Sequence, residues 1–329
     1  MMLRIFHETK LTYSEPVVET VTELRTAPPS QEDQTVLGYR LKITPSVAVT
    51  PFRDGFGNQV DLFNILGAHQ EIIIRAISFV RMHRRPGLQR LANVSWPGEL
   101  PVAVEAQEFL TESPLTMECP PLVEFREKLP KPEGTFSDLI QSWMAAIRER
   151  LTYEKKLVNL QKPISEALAT GKGNCQDFAH FFLAICRHFG VPARFVSGYI
   201  NHPGELATHA WCQVWGGSRV GWVDVDPTRS CFVGNDHVVT AIGRDYADMP
   251  PNRGQWKGTA EETMRVTVKV EPVERMPSDW TELNSQVIWS GPKMFQVQRQ
   301  GQWLNRLSTN RTILRQQQSQ QQQHSQQQQ

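Results

Sequence analysis

Gly171-Lys-Gly-Asn-Cys-Gln-Asp-Phe-Ala-His180 sets a cysteine directly after a glycine-rich turn and at the start of a helical pattern. Phe178, Phe181, Phe182, Ile185 and Phe189 recur at i, i+3, i+4, i+7 and i+11, the spacing of one apolar helix face. Gly190-Val-Pro192 predicts the stop, with glycine at the C-terminal cap and proline just beyond. Cys175 is therefore expected among unpaired backbone N–H groups, at the positive end of the helix dipole. That setting favours thiolate, the nucleophilic form. The plainer reading of any cysteine near a helix is a small buried hydrophobe.

Two downstream runs separate these readings. A histidine 34 residues on opens His209-Ala-Trp-Cys-Gln-Val-Trp215, and an acid 17 residues later closes Gly221-Trp-Val-Asp-Val-Asp-Pro-Thr228. Strand alternation puts Ala210, Cys212 and Val214 on one face and His209, Trp211, Gln213 and Trp215 on the other. In the second run Val223 and Val225 oppose Trp222, Asp224 and Asp226. Two adjacent antiparallel strands would bring imidazole against carboxylate, with the helix-borne thiol beside them. Cysteine, histidine, acid is the order of a nucleophile, its base and the group that orients the base. The pattern alone leaves Asp224 and Asp226 both open as that acid. His180 follows Cys175 by five residues and so points about 140° away, which suits packing better than a role as base. Asp177 falls in the first turn, where an acid favours the dipole.

Gly-x-Cys-Gln-Asp-Phe-Ala-His, then Thr-His-Ala-Trp, then Gly-Trp-(x)3-Asp-Pro-Thr resembles the core of the bacterial transglutaminase-like superfamily. Those proteins share a papain-like fold with eukaryotic transglutaminases and several cysteine peptidases. The resemblance extends to Gly243-Arg-Asp-Tyr-Ala-Asp-Met-Pro-Pro-Asn-Arg-Gly254 and to an N-terminal β-domain carrying Thr12-Tyr-Ser-Glu-Pro-Val17 and Asp54-Gly-Phe-Gly-Asn58. It implies Cys175 as nucleophile, His209 as base and Asp226 as the orienting acid. The chain departs from the pattern at Asn174, where an aliphatic residue is usual, and at Arg229, where Asn commonly follows Pro-Thr.

The expected fold class is α+β, with an N-terminal β-sandwich followed by a papain-like core whose nucleophile helix packs on an antiparallel sheet. Short β-rich runs such as Gln34–Thr44 and Glu71–Val80 alternate with turn clusters up to about Arg81. A proline-punctuated connector, 96–101, leads to a helix over Phe136–Leu151, with Leu139, Ile140, Trp143, Ile147 and Leu151 on its apolar face. Met264–Val270 alternates as a closing strand of the core. The expected division is a β-rich domain over 1–105, a catalytic core over 106–275, an extension over 276–314 and a Gln-rich tail over 315–329, read as disordered.

Bulk properties narrow the function. Lys plus Arg number 35 against 34 Asp plus Glu, a balance that argues against nucleic-acid or anionic-membrane binding. No apolar window approaches the length of a membrane span. Five cysteines without C-x-x-C pairs, and no export signal, read as a reduced cytoplasmic chain. Cys186, Cys212 and Cys231 lie near His188, His209 and His237 in sequence, yet lack paired ligand spacing, so neither metal nor cofactor is expected.

The expected partner is a peptide or protein substrate; oligomeric state is not legible. The expected chemistry is thiolate attack on an amide carbonyl, with the Cys175 N–H as an oxyanion donor and Trp143 or Tyr153 as candidates for a second. Water as acceptor makes a peptidase or amidase, and a lysine or polyamine makes a transglutaminase. No D-x-[DN]-x-[DN]-G calcium loop is present, and an intracellular cross-linker without a switch would be hazardous, so hydrolysis is favoured. The competing reading, an idle scaffold, would not require an intact trio.

Overall fold

β1 (Met2–Leu24) buries Leu3, Ile5, His7, Thr9, Leu11 and Tyr13 at every second position, the period of a strand with one covered face. β2 (Gln34–Thr44), β3 (Val49–Arg53) and β4 (Gln59–Met82) complete the first pass of the chain. β1 and β4 pair antiparallel along almost their whole length, with register shifts between Thr12 and Glu19. Such irregularities bend a strand. Leu11 and Ile74 from one side of the bend thus share a core with Leu24 and Phe63 from the other. The structure is a computed structural model, and it describes residues 1–94, 103–129, 134–154, 162–202, 208–277 and the strand at 295–299. The connector at 96–101, the tail at 315–329 and most of the extension lie outside the described residues.

Among the described residues six α-helices follow: α1 (Gly87–Leu91), α2 (Val104–Gln107), α3 (Pro120–Glu127), α4 (Phe136–Arg150), α5 (Ile164–Thr170) and α6 (Cys175–His188). α4 covers the predicted stretch, buries Leu139, Ile140, Trp143 and Ile147, and opens on a capping box between Thr135 and Asp138. α6 ends as its sequence predicts. Gly190 has φ 72°, its N–H reaches the Arg187 carbonyl, and the Val191 N–H reaches Cys186 at 2.8 Å. That is a Schellman stop, which needs the left-handed backbone that glycine supplies. Just ahead of α6, β5 (Thr152–Tyr153) pairs in parallel with β6 (Lys172–Gly173).

The central sheet holds β7 (Ala193–Ile200), β8 (Thr208–Trp215), β9 (Trp222–Asp226), β10 (Cys231–Phe232) and β11 (His237–Gly243) in the antiparallel order β10-β9-β8-β7-β11. Phe178, Phe181, Phe182 and Ile185 of α6 share one core with Ala210, Cys212 and Val214 of β8 and Val223 and Val225 of β9. The expected α+β architecture is therefore present, with the Cys175-bearing helix laid on an antiparallel sheet.

β12 (Asn252–Lys257) and β13 (Glu262–Pro272) then return to the N-terminal sheet, and β14 (Phe295–Arg299) adds to β13. Here the structure corrects the sequence reading. The strand over 264–270 was expected to close the core, but it pairs with β1 from Leu3↔Pro272 to Tyr13↔Glu262. Alternation identifies a strand; it does not name the partner. Among the described residues the N-terminal sheet thus has seven strands, drawn from both sides of the central sheet in sequence.

That sheet also caps the core. β11 is an edge strand, whose open backbone groups would otherwise need water or another chain. Gln34 bonds both the N–H and the carbonyl of Val239 at 2.9 Å, and Asn58 does the same for Ile242 at 2.8 and 2.7 Å. Two carboxamide side chains stand in for a neighbouring strand. Among the described residues no helix is long and apolar enough to cross a membrane.

Candidate active site

Cys175 is the first residue of α6 and is partly buried against the main core. Asn174, the residue that departs from the family pattern, is the helix cap: its Oδ1 accepts the N–H groups of Gln176 at 2.8 Å and Asp177 at 3.3 Å. Asp177 answers by accepting the Asn174 N–H at 2.8 Å. Burial raises the Asp177 carboxyl against the pull of that N–H, so the acid beside the thiol is a shielded cap.

The register of β8 and β9 sets Cys212 opposite Val225 and Gln213 opposite Asp224. His209, Trp211 and Gln213 therefore share a face with Asp224 and Asp226. His209 Nε2 donates to Asp226 Oδ2 at 2.8 Å, and Cys175 lies near enough to act on the charge of the ring. With Nε2 engaged, Nδ1 is the nitrogen left for the sulfur. Burial alone would lower the ring's pKa; the bonds and charges of Asp226 and Cys175 outweigh it and raise it to about 10. Burial would likewise raise the Asp226 carboxyl, yet its bonds to His209 and His237 hold it well below the usual carboxylate range. Asp226 Oδ1 accepts the backbone N–H groups of Thr228 at 2.9 Å and Arg229 at 3.2 Å. The structure thus brings all three sequence-predicted residues together.

The other candidates separate. Asp224 Oδ1 takes Trp211 Nε1–H at 2.7 Å and Gln213 Nε2–H at 3.0 Å, and its Oδ2 lies 3.5 Å from Arg84 Nε. His180 is buried, stacks on Phe195 and accepts the Tyr246 N–H, with burial lowering its pKa to about 4. Trp143 stacks on Phe189 beyond the far end of α6, too distant to serve an oxyanion at Cys175. Tyr153 lies at the near end, in β5 beside Gly173 and edge-on to Phe178. Burial pushes the Cys186 and Cys212 thiols up, and Cys231 to about 11.

Sequence reading weighed His237 only as a metal ligand, yet its ring is buried against the site. Its Nε2 is 3.3 Å from Asp226 Oδ2, and its Nδ1 is 2.8 Å from Asp236 Oδ1. The only linear hint was Asp236-His237 at the mouth of an apolar strand. Ligand atoms of His209, Asp226 and His237 all lie within 4.8 Å of one another, a spacing open to a cation. The 2.8 Å contact, however, is that of a hydrogen bond sharing a proton.

Gly198 of β7 faces His209 across the pair β7–β8. A Cβ there would lie 2.1 Å from the Val238 carbonyl oxygen and 2.5 Å from the Trp211 indole, whose ring stacks beside His209. Gly198→Ala should therefore lower stability by about 1–3 kcal/mol and slow Cys175 alkylation. Thermal unfolding and a timed iodoacetamide reaction check both.

A capped helix that opens on Cys175, laid on an antiparallel sheet and preceded by a β-rich region, sets the frame for the comparisons. Residues 125–227 match the transglutaminase-like superfamily. Residues 3–81 match the bacterial transglutaminase-like N-terminal region. An uncharacterized protein of Mycobacterium leprae is 28% identical over 280 residues, covering 82% of this chain and 98% of the relative. The Drosophila melanogaster peptide-N(4)-(N-acetyl-beta-glucosaminyl)asparagine amidase is 30% identical over 67 residues, 20% of this chain and 10% of that protein. The crystal structure of a candidate cysteine protease from Cytophaga hutchinsonii superposes with a TM-score of 0.67 at 21% identity, over 84% of this chain and 93% of that one, a likeness of fold.

Proposed function

We propose that this chain is a thiol enzyme that hydrolyses peptide or protein amides, with Cys175 as nucleophile, His209 as general base and acid, and Asp226 as the group that orients His209. The observation that supports it most is one buried imidazole bonded to Asp226 at 2.8 Å, with Cys175 close enough to raise its affinity for a proton. In this reading the thiolate adds to the amide carbonyl, and the oxyanion takes the Cys175 N–H, which is free of helical bonding at the first position. His209 hands its proton to the leaving amine, and the C–N bond breaks to give a thioester. It then takes a proton from water, whose oxygen adds to the thioester, and Cys175 leaves as thiolate.

Water as the acceptor agrees with the short-range similarity to an amide-cleaving protein. It also agrees with the absence from the sequence of an EF-hand-type calcium loop. Purified protein should cleave a peptide or isopeptide amide. Incorporation of a fluorescent amine into a glutamine donor, faster than any hydrolysis, would make it a transglutaminase instead.

The pH dependence follows from His209. Its ordinary value of 6.5 is raised to about 10, so the protonated partner of the thiolate persists through neutrality and is lost as pH rises through about 10. The alkaline limb of kcat/KM is expected near pH 10. A limb near 6.5 would contradict the ion pair.

A further inference from the structure

We propose that His237 is a positioning residue for the acyl-transfer site, holding the Asp226 carboxylate in the rotamer that aims His209. This inference rests on the catalytic reading above. Asp226 Oδ2 is shared: it faces His209 Nε2 at 2.8 Å and His237 Nε2 at 3.3 Å, with the two rings edge to face at 5.7 Å. Its other oxygen is occupied by two backbone N–H groups. A carboxylate met from three directions cannot turn without breaking bonds in a buried site.

His237 is itself held from several sides. Asp236 Oδ1 takes its Nδ1 at 2.8 Å, and Asp236 Oδ2 pairs with Arg229 Nη1 at 3.1 Å. The His237 carbonyl accepts Arg84 Nη1 at 3.0 Å, and the same nitrogen donates to the Gly234 carbonyl. The Trp211 ring meets the imidazole edge to face at 5.1 Å. Both ring nitrogens thus face carboxylate oxygens.

The charged and titratable groups around it are Asp236 on its own loop, Asp226 on β9, His209 on β8, Arg229 and Cys231 after β9, and Arg84 after β4. Tyr199, on the neighbouring strand β7, is engaged by His7 at 2.8 Å. Loss of the ring frees one side of Asp226 Oδ2 and weakens the aim of His209 at Cys175.

The test uses the full chain with limiting iodoacetamide, reading Cys175 modification by mass spectrometry from about pH 4 to 9. The variants are His237→Leu, which removes both bonds, and His237→Gln, which keeps one donor towards Asp226 and no charge. His237→Leu is expected to move the midpoint of Cys175 labelling up by about one pH unit, and so to slow labelling about tenfold at pH values below the native midpoint. His237→Gln should shift it by roughly half as much. A merely structural histidine would change the melting temperature and leave that midpoint in place. If either folded variant keeps the native midpoint, the inference is overturned; should His237→Leu fail to fold, His237→Gln decides. His209→Ala separates the two readings. If it leaves the midpoint unmoved, the thiol–imidazole reading falls, whereas movement there with none in the His237 variants removes only the role of His237.

Discussion

Asp226→Asn is expected to lower kcat/KM by on the order of 10³–10⁴-fold. The reason lies in the two backbone N–H groups of Thr228 and Arg229, which both bond Oδ1. An asparagine must keep its carbonyl oxygen there, so its NH2 group faces His209 and His237. A donor then meets the Nε2–H that formerly donated to Oδ2 at 2.8 Å. The ring can relieve this only by carrying its proton on Nδ1, which leaves Nε2 to accept and removes the base facing Cys175. Asp224→Asn should spare the chemistry and cost stability, because Asp224 holds Trp211, Gln213 and Arg84. Steady-state kinetics on the purified variants decide. Loss of activity in Asp224→Asn with retention in Asp226→Asn would reverse the assignment.

Arg84→Ala should destabilise the protein by about 3–5 kcal/mol, the usual cost of removing one partner from a buried charge cluster. Its guanidinium is buried where the chain leaves β4, with Nε 3.5 Å from Asp224 Oδ2 and 3.8 Å from Asp33 Oδ2. Nη1 also bonds the carbonyls of Gly234 and His237. Without it, Asp224 Oδ2 loses its nearest positive charge and two carbonyls lose a donor. Asp33 keeps Arg90 at 3.6 Å, so the damage concentrates on the core side. Denaturant unfolding followed by tryptophan fluorescence measures the loss. A change under about 1 kcal/mol would mean that the cluster behaves as a surface pair.

Much of the site was legible because its signals are local. The helix over Cys175–His188 was written in phenylalanine spacing and stopped by Gly190. Asn174, read first as a departure from the family, turned out to be the cap that this backbone requires. What stayed hidden involves distance along the chain. His237 reaches Asp226 because the chain passes from β9 through β10 to the opposite edge of the sheet, and no periodicity encodes that path. Asp224 and Asp226 looked equivalent for the same reason: alternation puts both on one face and only register tells which meets the imidazole.

Residue order alone determined the helix that opens on Cys175, the strands bearing His209 and the acids, and the β-rich start, since period and turn chemistry act over a few residues. Tertiary structure decided which acid serves the histidine, that 262–272 joins β1, and that Gln34, Asn58 and Arg84 tie the β-domain to the core. Those outcomes depend on which segments pack side by side, a competition settled by burial and hydrogen bonding across the whole chain.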